Sequence, residues 1–452
     1  MELVSPSELK AWDKPGPRYT SYPTVPVWGP LGQEAVEKAL GCAKPPAQVY
    51  VHVPFCAEQC SFCGCNMVVA GRREIGQKYL ENVRQQVRAL PLASQQIPVQ
   101  RIHLGGGTPT WFTPEELQEL HEILMERFTP TPDAEISIEA DPQITTFAHR
   151  DALNTVGFNR LSLGVQSFDP VVLKAVNRPQ WRSRIGELLD YARGLGWWGL
   201  NLDLIYGLPH QTPERFASTL KQAIDLRPDR FAVFGYAHVP WLKSHMNKID
   251  ADALPDTTGR AQLYLMTQKF LTEAGYTPLG LDHFALDSDQ LAVAARERRL
   301  HRNFMGYTTL PDVDMIGLGM SAISEVGGTY WQDEPKLARW RAKVEAGDSL
   351  VERGWVLSDE DRLRRDVINS LMCNLRVVAN EIEDKHPVPF WKHFDSTKEV
   401  LAPLEQAGFL ELDTAGIQVS ERGRVLVRNA AMAFDPYLQT KPTDGPRYSR
   451  TV

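Results

Sequence analysis

The chain lacks any apolar run long enough to span a membrane, and it has neither internal repeats nor low-complexity segments. It also lacks an excess of positive charge, since its formal net charge is −7, which speaks against nucleic acid as the main partner. Its first residues include acidic groups and no apolar core, so we expect no secretory signal and a cytoplasmic location. With 452 residues, the chain has room for two or three domains.

Cysteine is scarce, with six residues in the chain, yet four of them lie within ten positions: Cys56, Cys60, Cys63 and Cys65. Their spacing is CxxxCxxC followed by CxC. Three thiolates from one short loop can hold an iron–sulfur cluster, and a [4Fe–4S] cube held this way keeps one iron atom open to a small molecule. A structural zinc site usually draws ligand pairs from two separated points of the chain, and disulfide frameworks belong to small secreted domains. The sequence therefore favours a cluster over these two alternatives.

Six short apolar segments alternate with helical patterns between residues 49 and 240. They are rich in β-branched and aromatic residues and end in glycine, proline or polar clusters, which is typical of strands. The segments are QVYVHVP, QRIHLGGG, AEISIEADP, NRLSLGVQS, GLNLDLIYGLP and RFAVFGYAHVP. Thr113, Pro114 and Glu116 form a predicted capping box with proline at the first helical position. The alternation predicts an α/β fold with a parallel sheet, and six units predict an open, partial (β/α)6 barrel.

Polar residues or glycines follow every one of these strands, at the end where barrel enzymes hold their active sites. They are the cysteine loop, then GGGTPT at residues 105–110, Glu139 with Asp141, Gln166, Asp203, and Ala237 with His238. Glycine allows the backbone to approach a ligand closely, although a tight turn would also explain it. A buried carboxylate is costly unless it is paired or bound, so a structural ion pair is the alternative for the acidic residues. Six such positions on one rim favour a binding site.

Three regions are predicted along the chain. Residues 1–48 form an N-terminal extension containing PRYTSYPT, 49–345 form the barrel with trailing segments, and 346–452 form a C-terminal, mainly helical, winged-helix-like domain. Helices over 359–375 and 396–408, then two short strands and a helix, are expected in the last region. Winged helices often bind DNA, but the acidic balance and the neighbouring barrel favour a lid or structural role.

These features together resemble the radical S-adenosylmethionine (SAM) superfamily, through CxxxCxxC with Phe62 before the third cysteine and GGGTPT on the next strand. Within it, the chain resembles the oxygen-independent coproporphyrinogen III oxidases, or coproporphyrinogen dehydrogenases, over nearly its whole length. The shared segments include PRYTSYPT, GVQSFD, DLIYGLP, GYAHVPW, RNFMGYTT and GRVLVRN. One alternative is a haem chaperone of the same superfamily, whose members tend to carry an apolar or aromatic residue in place of Cys65. Another is a DNA-binding regulator that senses iron–sulfur status.

The resemblance implies a [4Fe–4S] cluster on Cys56, Cys60 and Cys63 and two SAM molecules side by side. It implies a radical oxidoreductase of haem (porphyrin) biosynthesis that converts two propionates of coproporphyrinogen III to vinyl groups, giving protoporphyrinogen IX. Cys65 and Tyr50 are implied as catalytic residues. The positions that match the family's cofactor contacts are Tyr50, Phe62, Gly106, Gly107, Thr108, Glu139, Gln166, Arg178, Asp203, Ala237 and Ile323.

The same resemblance implies several partners. These are the substrate, an electron donor such as flavodoxin or ferredoxin and an unidentified electron acceptor. We expect a monomer that binds neither nucleic acid nor membrane. Arg18, Arg302 and Arg178 are candidates for the carboxylates of the substrate. A reactive radical requires a dry site, so PRYTSYPT is expected to fold over the open side of the barrel, with Arg18 and Tyr22 facing the substrate.

Overall fold

The computed structural model describes residues 4–439 and 448–451, and its central element is a twelve-stranded sheet. In chain order, its strands are β1 (Ala47–Val53), β2 (Ile97–Gly106), β3 (Phe128–Ala140), β4 (Arg160–Gln166), β5 (Asn201–Tyr206), β6 (Arg230–Gly235), β7 (Tyr276–Pro278), β8 (His283–Leu286), β9 (Met315–Leu318), β10 (Ile323–Val326), β11 (Thr329–Asp333) and β12 (Val351–Val356). Across the sheet their order is β12-β11-β10-β9-β1-β2-β3-β4-β5-β6-β8-β7.

The six predicted strands are confirmed as β1 to β6, and all of them run parallel. The short strand β9 adds a further parallel neighbour beside β1, with Met315 next to Gln48. The strands at both edges pair antiparallel. Among the described residues, β7 and β12 pair with one neighbour each and not with each other, so the curled sheet is an open, partial barrel as predicted.

Helices cover the outside of the sheet and continue into the C-terminal region. The α-helices are Pro6–Trp12, Gln33–Gly41, Glu74–Ala89, Pro114–Met125, Phe147–Thr155, Pro170–Ala175, Arg182–Gly194, Pro213–Asp225, Thr257–Glu273, Gln290–Arg296, Leu337–Ala346, Asp359–Asn374, Ala379–Lys385, Phe390–His393, Asp395–Gln406 and Val427–Ala431. The predicted capping box is confirmed, because the backbone N–H of Glu116 donates to Thr113 Oγ1 at 3.2 Å while that of Thr113 donates to Glu116 Oε2 at 2.8 Å. None of the helices in the described ranges is long and apolar enough to cross a membrane.

The core lies between the outer face of the sheet and these helices. Val49, Val51 and Val53 of β1 are fully buried, as are Leu117 and Leu120 of the helix after β2. Each fully buried aliphatic side chain stabilises the fold by about 1.5–3 kcal/mol relative to an exposed one. Side chains alternate along a strand, so burial of the apolar ones against the helices turns the polar ones toward the lumen.

Five charged residues close the lumen at the amino-terminal ends of the strands, and we call them the ion-pair plug: Arg101, Glu135, Arg160, Arg230 and Asp289. Glu135 pairs with Arg101 at 2.8 Å and also with Arg160, and Arg230 pairs with Asp289 at 2.7 Å. Burial alone would raise the pKa of Glu135, but the neighbouring arginines outweigh burial and hold it well below its usual value. Every charge of the plug therefore has an opposite charge beside it.

The C-terminal region contains the predicted helices Asp359–Asn374 and Asp395–Gln406. The two predicted short strands are Leu410–Asp413 and Gly416–Val419. Together with Arg376–Val378, which was not predicted, they form a three-stranded antiparallel sheet. Residues just after 346 contribute β12, which pairs with β11 in the main sheet. The domain division at 346 stays a prediction.

The N-terminal extension is held by residues from the far end of the chain. Arg428 donates to the carbonyl oxygens of Gly16 and Pro17, and Tyr19 donates to Asp435 at 3.0 Å. Tyr22 is 1% exposed, and its ring lies 6.0 Å from that of Tyr437. The structure therefore packs Tyr22 against the C-terminal helices, whereas the sequence analysis expected it to face the substrate.

Candidate active site

A cavity of about 250 Å³ lies at the carboxyl ends of the parallel strands, and we call it the cysteine cavity. It brings together residues from the loop after β1, from the ends of β2 to β4 and from Asp203, the third residue of β5. Most of the predicted site residues line it: Cys56, Cys60, Phe62, Cys63, Cys65, Gly106, Gly107, Thr108, Glu139, Gln166, Arg178 and Asp203. The common rim expected for parallel strands thus collects side chains spread over some 150 positions of sequence.

The cysteine loop has a narrow base. The two-residue strands Phe55–Cys56 and Val68–Val69 pair with each other and pinch the loop between them. Phe55 is fully buried, and its ring lies 4.7 Å from that of Trp111 and 5.3 Å from that of Tyr79. A loop anchored by a packed aromatic base holds its side chains more rigidly than a free loop.

Two of the thiols are held by polar neighbours. Cys56 Sγ lies 3.3 Å from Thr108 Oγ1, and Arg178 donates to Cys60 Sγ at 3.5 Å. Burial raises the pKa of Cys56 to about 12. Burial also raises the pKa of Cys60, and Arg178 opposes that rise. Buried thiols of this kind lose their protons when a metal ion binds them, because the metal supplies the missing positive charge.

The other two thiols face each other. Their interaction lowers the pKa of Cys63 and, together with burial, raises that of Cys65. The backbone around them is fixed from a distant segment, since Lys243 donates to the carbonyl oxygen of Cys65 at 3.2 Å and His245 Nε2 lies 2.8 Å from that of Cys63.

The glycines of GGGTPT allow the ends of β1 and β2 to approach closely. A Cβ on Gly107 would lie 2.7 Å from the backbone of Pro54, and one on Gly106 would lie 2.6 Å from the ring of His52. Gly106 also has a φ of 113°, which side chains disfavour. Their lack of side chains is thus required by packing against β1, while their backbone lines the cavity.

Two carboxyl groups lie beside the cysteines in different environments. Glu139 accepts from the Gly106 N–H at 3.1 Å and lies 3.3 Å from His103 Nε2. Burial would raise the pKa of Glu139, but these two neighbours outweigh it. Within the described part of the chain, the hydrogen-bond partners of Asp203 are neutral: Asn201 at 2.7 Å and Ser162 at 3.3 Å. Burial and the charge of Glu139 raise the pKa of Asp203 to about 7, so Asp203 is suited to a ligand that brings hydroxyl or ammonium donors.

Arg178 ties three parts of the rim together. Its guanidinium pairs with Asp141 at 3.0 Å, donates to the Gly164 carbonyl at 2.7 Å and contacts Cys60. Burial lowers the pKa of Arg178, and the charges of Asp141 and Cys60 more than compensate. Arg178 is therefore committed to the cysteine loop and the strand ends.

A second cavity of about 340 Å³ adjoins the first, and we call it the lumen cavity. Both cavities are lined by Cys65, Glu139 and Asp203. The lumen cavity extends from these residues to the ion-pair plug on one side and to Phe234 and Tyr307 on the other. The two spaces share one wall, so ligands bound in them would lie side by side.

Comparison with known proteins places this geometry in a family. A sequence model of the radical SAM superfamily matches residues 50–223, and one of the HemN C-terminal domain matches residues 357–426. The oxygen-independent coproporphyrinogen III oxidase of Escherichia coli is 43% identical over 437 residues, covering 96% of this chain and 95% of that protein. The chain belongs to the oxygen-independent coproporphyrinogen III oxidase family. The protein of that name from Helicobacter pylori is 39% identical and covers 97% of this chain and 98% of its own length.

A solved structure agrees with this assignment. The structure titled "Coproporphyrinogen III oxidase (HemN) from Escherichia coli is a Radical SAM enzyme" superposes with a TM-score of 0.92 at 41% identity, covering 97% of this chain and all of that one. Membership of the radical SAM superfamily implies a [4Fe–4S] cluster and SAM as cofactors. The haem-chaperone alternative is not favoured, because the relatives are named as oxidases.

The residues present fit these groups. Four thiols, four carboxyl groups and glycine backbone surround one cavity, and within the described residues Asp203 has no cationic hydrogen-bond partner. Among the described residues, no three His, Cys, Asp or Glu side chains converge tightly enough to hold a single metal ion. A cube requires less convergence, because each of its three protein thiolates binds a different iron atom.

Three predicted site residues do not line the cysteine cavity. Tyr50 lies one layer deeper in the lumen, with its hydroxyl 3.0 Å from His52 Nδ1. Ala237 follows the end of β6 by two residues. Ile323 starts β10 and packs against a buried group of aromatic side chains that includes Trp28. Their predicted roles stay predictions, and none rests on a contact with the cysteines.

Sequence reasoning did not find Asp141 as the partner of Arg178, nor His103 as that of Glu139. It also missed Lys243 and His245. The alternating pattern on β2 gives a signal for His103, which shares the lumen face with Arg101. The other contacts depend on tertiary packing, since His245 is 182 residues from Cys63.

Proposed function

We propose that this protein catalyses the oxygen-independent oxidative decarboxylation of two propionates of coproporphyrinogen III, giving the vinyl groups of protoporphyrinogen IX in haem biosynthesis. The observation that carries this proposal is the family membership over nearly the whole chain, together with a cysteine cavity that opens onto a second cavity. The cysteine cavity suits the cofactors. The lumen cavity adjoins it closely enough for a hydrogen atom to pass from a substrate there to a cofactor in the cysteine cavity.

Cys56, Cys60 and Cys63 would hold the cluster. When bound, the cluster and SAM supply a 5′-deoxyadenosyl radical that removes a hydrogen atom from a propionate, which then loses CO2 and an electron to an acceptor. The chain's own residues bind and orient these groups and exclude water. The packed base of the loop fixes the three cysteines, and Arg178 keeps Cys60 against the rim.

Glu139, Gln166 and Asp203 would bind the polar groups of SAM, as would the backbone of Gly106 and Gly107. Phe62, Thr108, Arg178, Ala237 and Ile323 belong to the same proposed contact set. The proposal includes two SAM molecules side by side, held by this contact set. Cys65, which lines both cavities, and Tyr50, one layer below, are the proposed catalytic residues.

Further parts of the proposal concern partners. A small electron carrier such as flavodoxin or ferredoxin supplies electrons to the cluster, and an external acceptor takes the electrons released by the substrate. A monomer in the cytoplasm, bound to neither nucleic acid nor membrane, belongs to the same proposal. Net charge of −7 is consistent with the absence of nucleic acid.

An anaerobic assay tests the function. The purified, cluster-loaded protein is mixed with reductant, SAM and coproporphyrinogen III, and the products are identified by mass. We expect two molecules of CO2 lost per porphyrinogen and 5′-deoxyadenosine formed alongside. Formation of deoxyadenosine without any vinyl product, in the presence of an electron acceptor, would contradict the proposal.

A matched experiment separates the enzyme from a haem carrier. The same preparation is titrated with haem and with coproporphyrin III, the stable oxidised form of the substrate. An enzyme binds the tetracarboxylate in preference to haem. Tight haem binding with no decarboxylation would favour the carrier instead.

A further inference from the structure

A group of positively charged side chains lies behind one wall of the lumen cavity, away from the cysteines. The group consists of Arg18 from the N-terminal extension, Arg302 from the hairpin that spans His301–Asn303 and Gly306–Thr308, and Arg428 from the C-terminal helices. Three separate parts of the chain therefore bring guanidinium groups to one place. We call this group the arginine wall.

Among the described residues, neither Arg302 nor Arg428 forms an ion pair, and Arg302 also has buried nitrogen atoms without a hydrogen-bond partner. These are its Nε and Nη1 atoms, which donate to no partner within the described residues. A buried, unpaired guanidinium is costly, and the cost is relieved when an anion binds it.

The other two arginines add charge with little compensation. Arg428 is 4% exposed and donates its hydrogen bonds to neutral carbonyl oxygens. Arg18 pairs with Asp282, the one carboxylate in the described residues that forms an ion pair with any member of the wall. Burial and the charges of Arg428 and Arg302 lower the pKa of Arg18 to about 9, which reports an excess of positive charge here.

Aromatic rings connect the wall to the lumen cavity. The guanidinium of Arg18 lies 5.7 Å from the ring centre of Phe234, and that of Arg302 lies 5.1 Å from that of Tyr307. Both rings line the cavity, and so does His283, whose buried Nδ1 has no partner in the described part of the chain. Burial and the nearby arginines lower the pKa of His283 to about 3, so it is a neutral ring.

We propose that the arginine wall binds a carboxylate of the substrate that does not react, with Arg302 as its main ligand and His283 as a second polar contact. This inference rests on the proposed function and names the part of the protein that orients the porphyrinogen. A pyrrole ring beside Phe234 and Tyr307 places its carboxylate toward Arg302. The reacting propionate then points to the other end of the cavity, where Cys65 lies.

The remaining candidate for a substrate carboxylate, Arg178, is less suited. Its charge is already paired with Asp141, and its two terminal nitrogen atoms also donate to Cys60 and the Gly164 carbonyl. Binding a substrate carboxylate there would require these contacts to break. Arg302 requires no such exchange.

The ligand itself provides the first test. Coproporphyrin III and its tetramethyl ester are titrated into the wild-type, cluster-loaded protein in the same mild detergent, and binding is followed by porphyrin fluorescence. A charge-assisted hydrogen bond contributes about 1.5–3 kcal/mol, so we expect the ester to bind at least about tenfold more weakly. Equal affinity for the acid and the ester would overturn the proposal.

Variants provide the second test. Arg302→Gln should weaken coproporphyrin III binding by about tenfold or more, and Arg302→Lys should fall between it and the wild type, since lysine keeps the charge but not the planar fork. Arg299→Gln is the matched control, because Arg299 is an exposed arginine of the preceding loop that pairs with Glu297. Wild-type affinity in Arg302→Gln would refute the assignment. If that variant fails to fold, the ester comparison decides alone.

Kinetics separate this inference from the proposed function. In the coupled assay, Arg302→Gln should raise KM for coproporphyrinogen III by a larger factor than it lowers kcat, because the contact is made to a part of the substrate that does not react. A wild-type protein without vinyl product would refute the function. A wild-type protein with product and an Arg302→Gln variant with unchanged KM would refute only the role of Arg302.

Discussion

The two ends of the barrel lumen are built from the same strands but differ in how their charges are compensated. β3 carries Glu135 in the ion-pair plug and Glu139 at the cysteine cavity, four residues apart on one face. Glu135 is held between two arginines, whereas Glu139 and Asp203 have a backbone amide, a histidine and neutral side chains as partners.

This difference distinguishes a structural cluster from a binding site. In the plug, folding alone completes the environment of each charge, so the cluster needs no ligand. At the cysteine cavity one guanidinium, that of Arg178, donates to Cys60, and within the described residues the hydrogen bonds of Asp203 come from neutral side chains. A cluster and a cationic cofactor would complete this environment. Whether a charged residue belongs to a structural ion pair or to a binding site is therefore decided by its partners and not by its amino-acid type.

Loss of a thiol ligand should have the largest effect. Cys56→Ser, Cys60→Ser and Cys63→Ser should each abolish the cluster and SAM cleavage, because a serine oxygen is a poor ligand for this iron. Cys65→Ser should keep the cluster and impair turnover. Iron and sulfide analysis, visible spectra and deoxyadenosine formation measure these outcomes. Equal loss of iron in Cys65→Ser would show that the three-ligand assignment is wrong.

Breaking the plug should destabilise the protein without touching the cysteine cavity. Glu135→Gln leaves two buried arginines without their carboxylate, which typically costs about 3–5 kcal/mol. Glu345→Gln is the control, because Glu345 is an exposed carboxylate that also lies near two cations, Lys78 and Arg341. Its loss should cost less than about 1 kcal/mol. Denaturant unfolding compares the two variants, and equal destabilisation would contradict the contrast between buried and exposed pairs.

Asp333 extends the comparison, because this carboxyl is buried and, within the described residues, forms no ion pair with an arginine. It is 3% exposed and accepts from Gln86 at 2.8 Å. Burial raises the pKa of Asp333 to about 7, above its unfolded value of 3.8, so the folded state holds the proton more tightly. Stability contributed by this group is therefore fully present below about pH 4 and is lost as pH rises toward 7.

Asp333→Asn removes this dependence. The variant and the wild type should be equally stable near pH 4, and the variant should be more stable above about pH 7, by up to about 4 kcal/mol. Unfolding of both proteins is measured across this range. A difference between them that does not change with pH would refute the shifted pKa.

The smallest predicted effect concerns Asp203. Asp203→Ala should weaken SAM binding by about ten- to a hundredfold, since removing a buried polar partner costs about 1–3 kcal/mol. Cluster content should not change, because Asp203 supplies no ligand to iron. Equilibrium dialysis with SAM measures the affinity, and Asp190→Ala on an exposed helix serves as control. Unchanged affinity in a cluster-loaded Asp203→Ala protein would argue against its place in the site.

The fold followed from the sequence where local pattern decides it. The six parallel strands are continuous apolar segments with clear ends, and the capped helix after β2 begins at Pro114 as its cap predicts. The short strand β9 and the antiparallel edges have three to six residues each and no distinctive pattern, so they were predicted only as trailing segments. Their place in the sheet is decided by pairing with distant partners.

The site followed from the sequence only in part, for the same reason. Position at a strand end placed Glu139 and Gln166 on one rim, because parallel strands align their ends. Asp203 lines the same cavity from the third position of β5, earlier in the strand than predicted. Pairing between Arg178 and Asp141 depends on the path of a loop, and the burial of Tyr22 depends on C-terminal helices more than 400 residues away. Local sequence carries no signal for either contact.

The position of β9 has a consequence for the order in which the protein is made. β1 carries the cysteine loop, and its neighbour β9 follows it by about 270 residues. At typical rates of synthesis, β9 emerges roughly 15 to 50 s after β1. Throughout that interval one edge of β1 has no strand to pair with, and the helices that later enclose the N-terminal extension do not yet exist. During synthesis, the cysteine loop is therefore exposed to solvent for this interval before the complete barrel surrounds it.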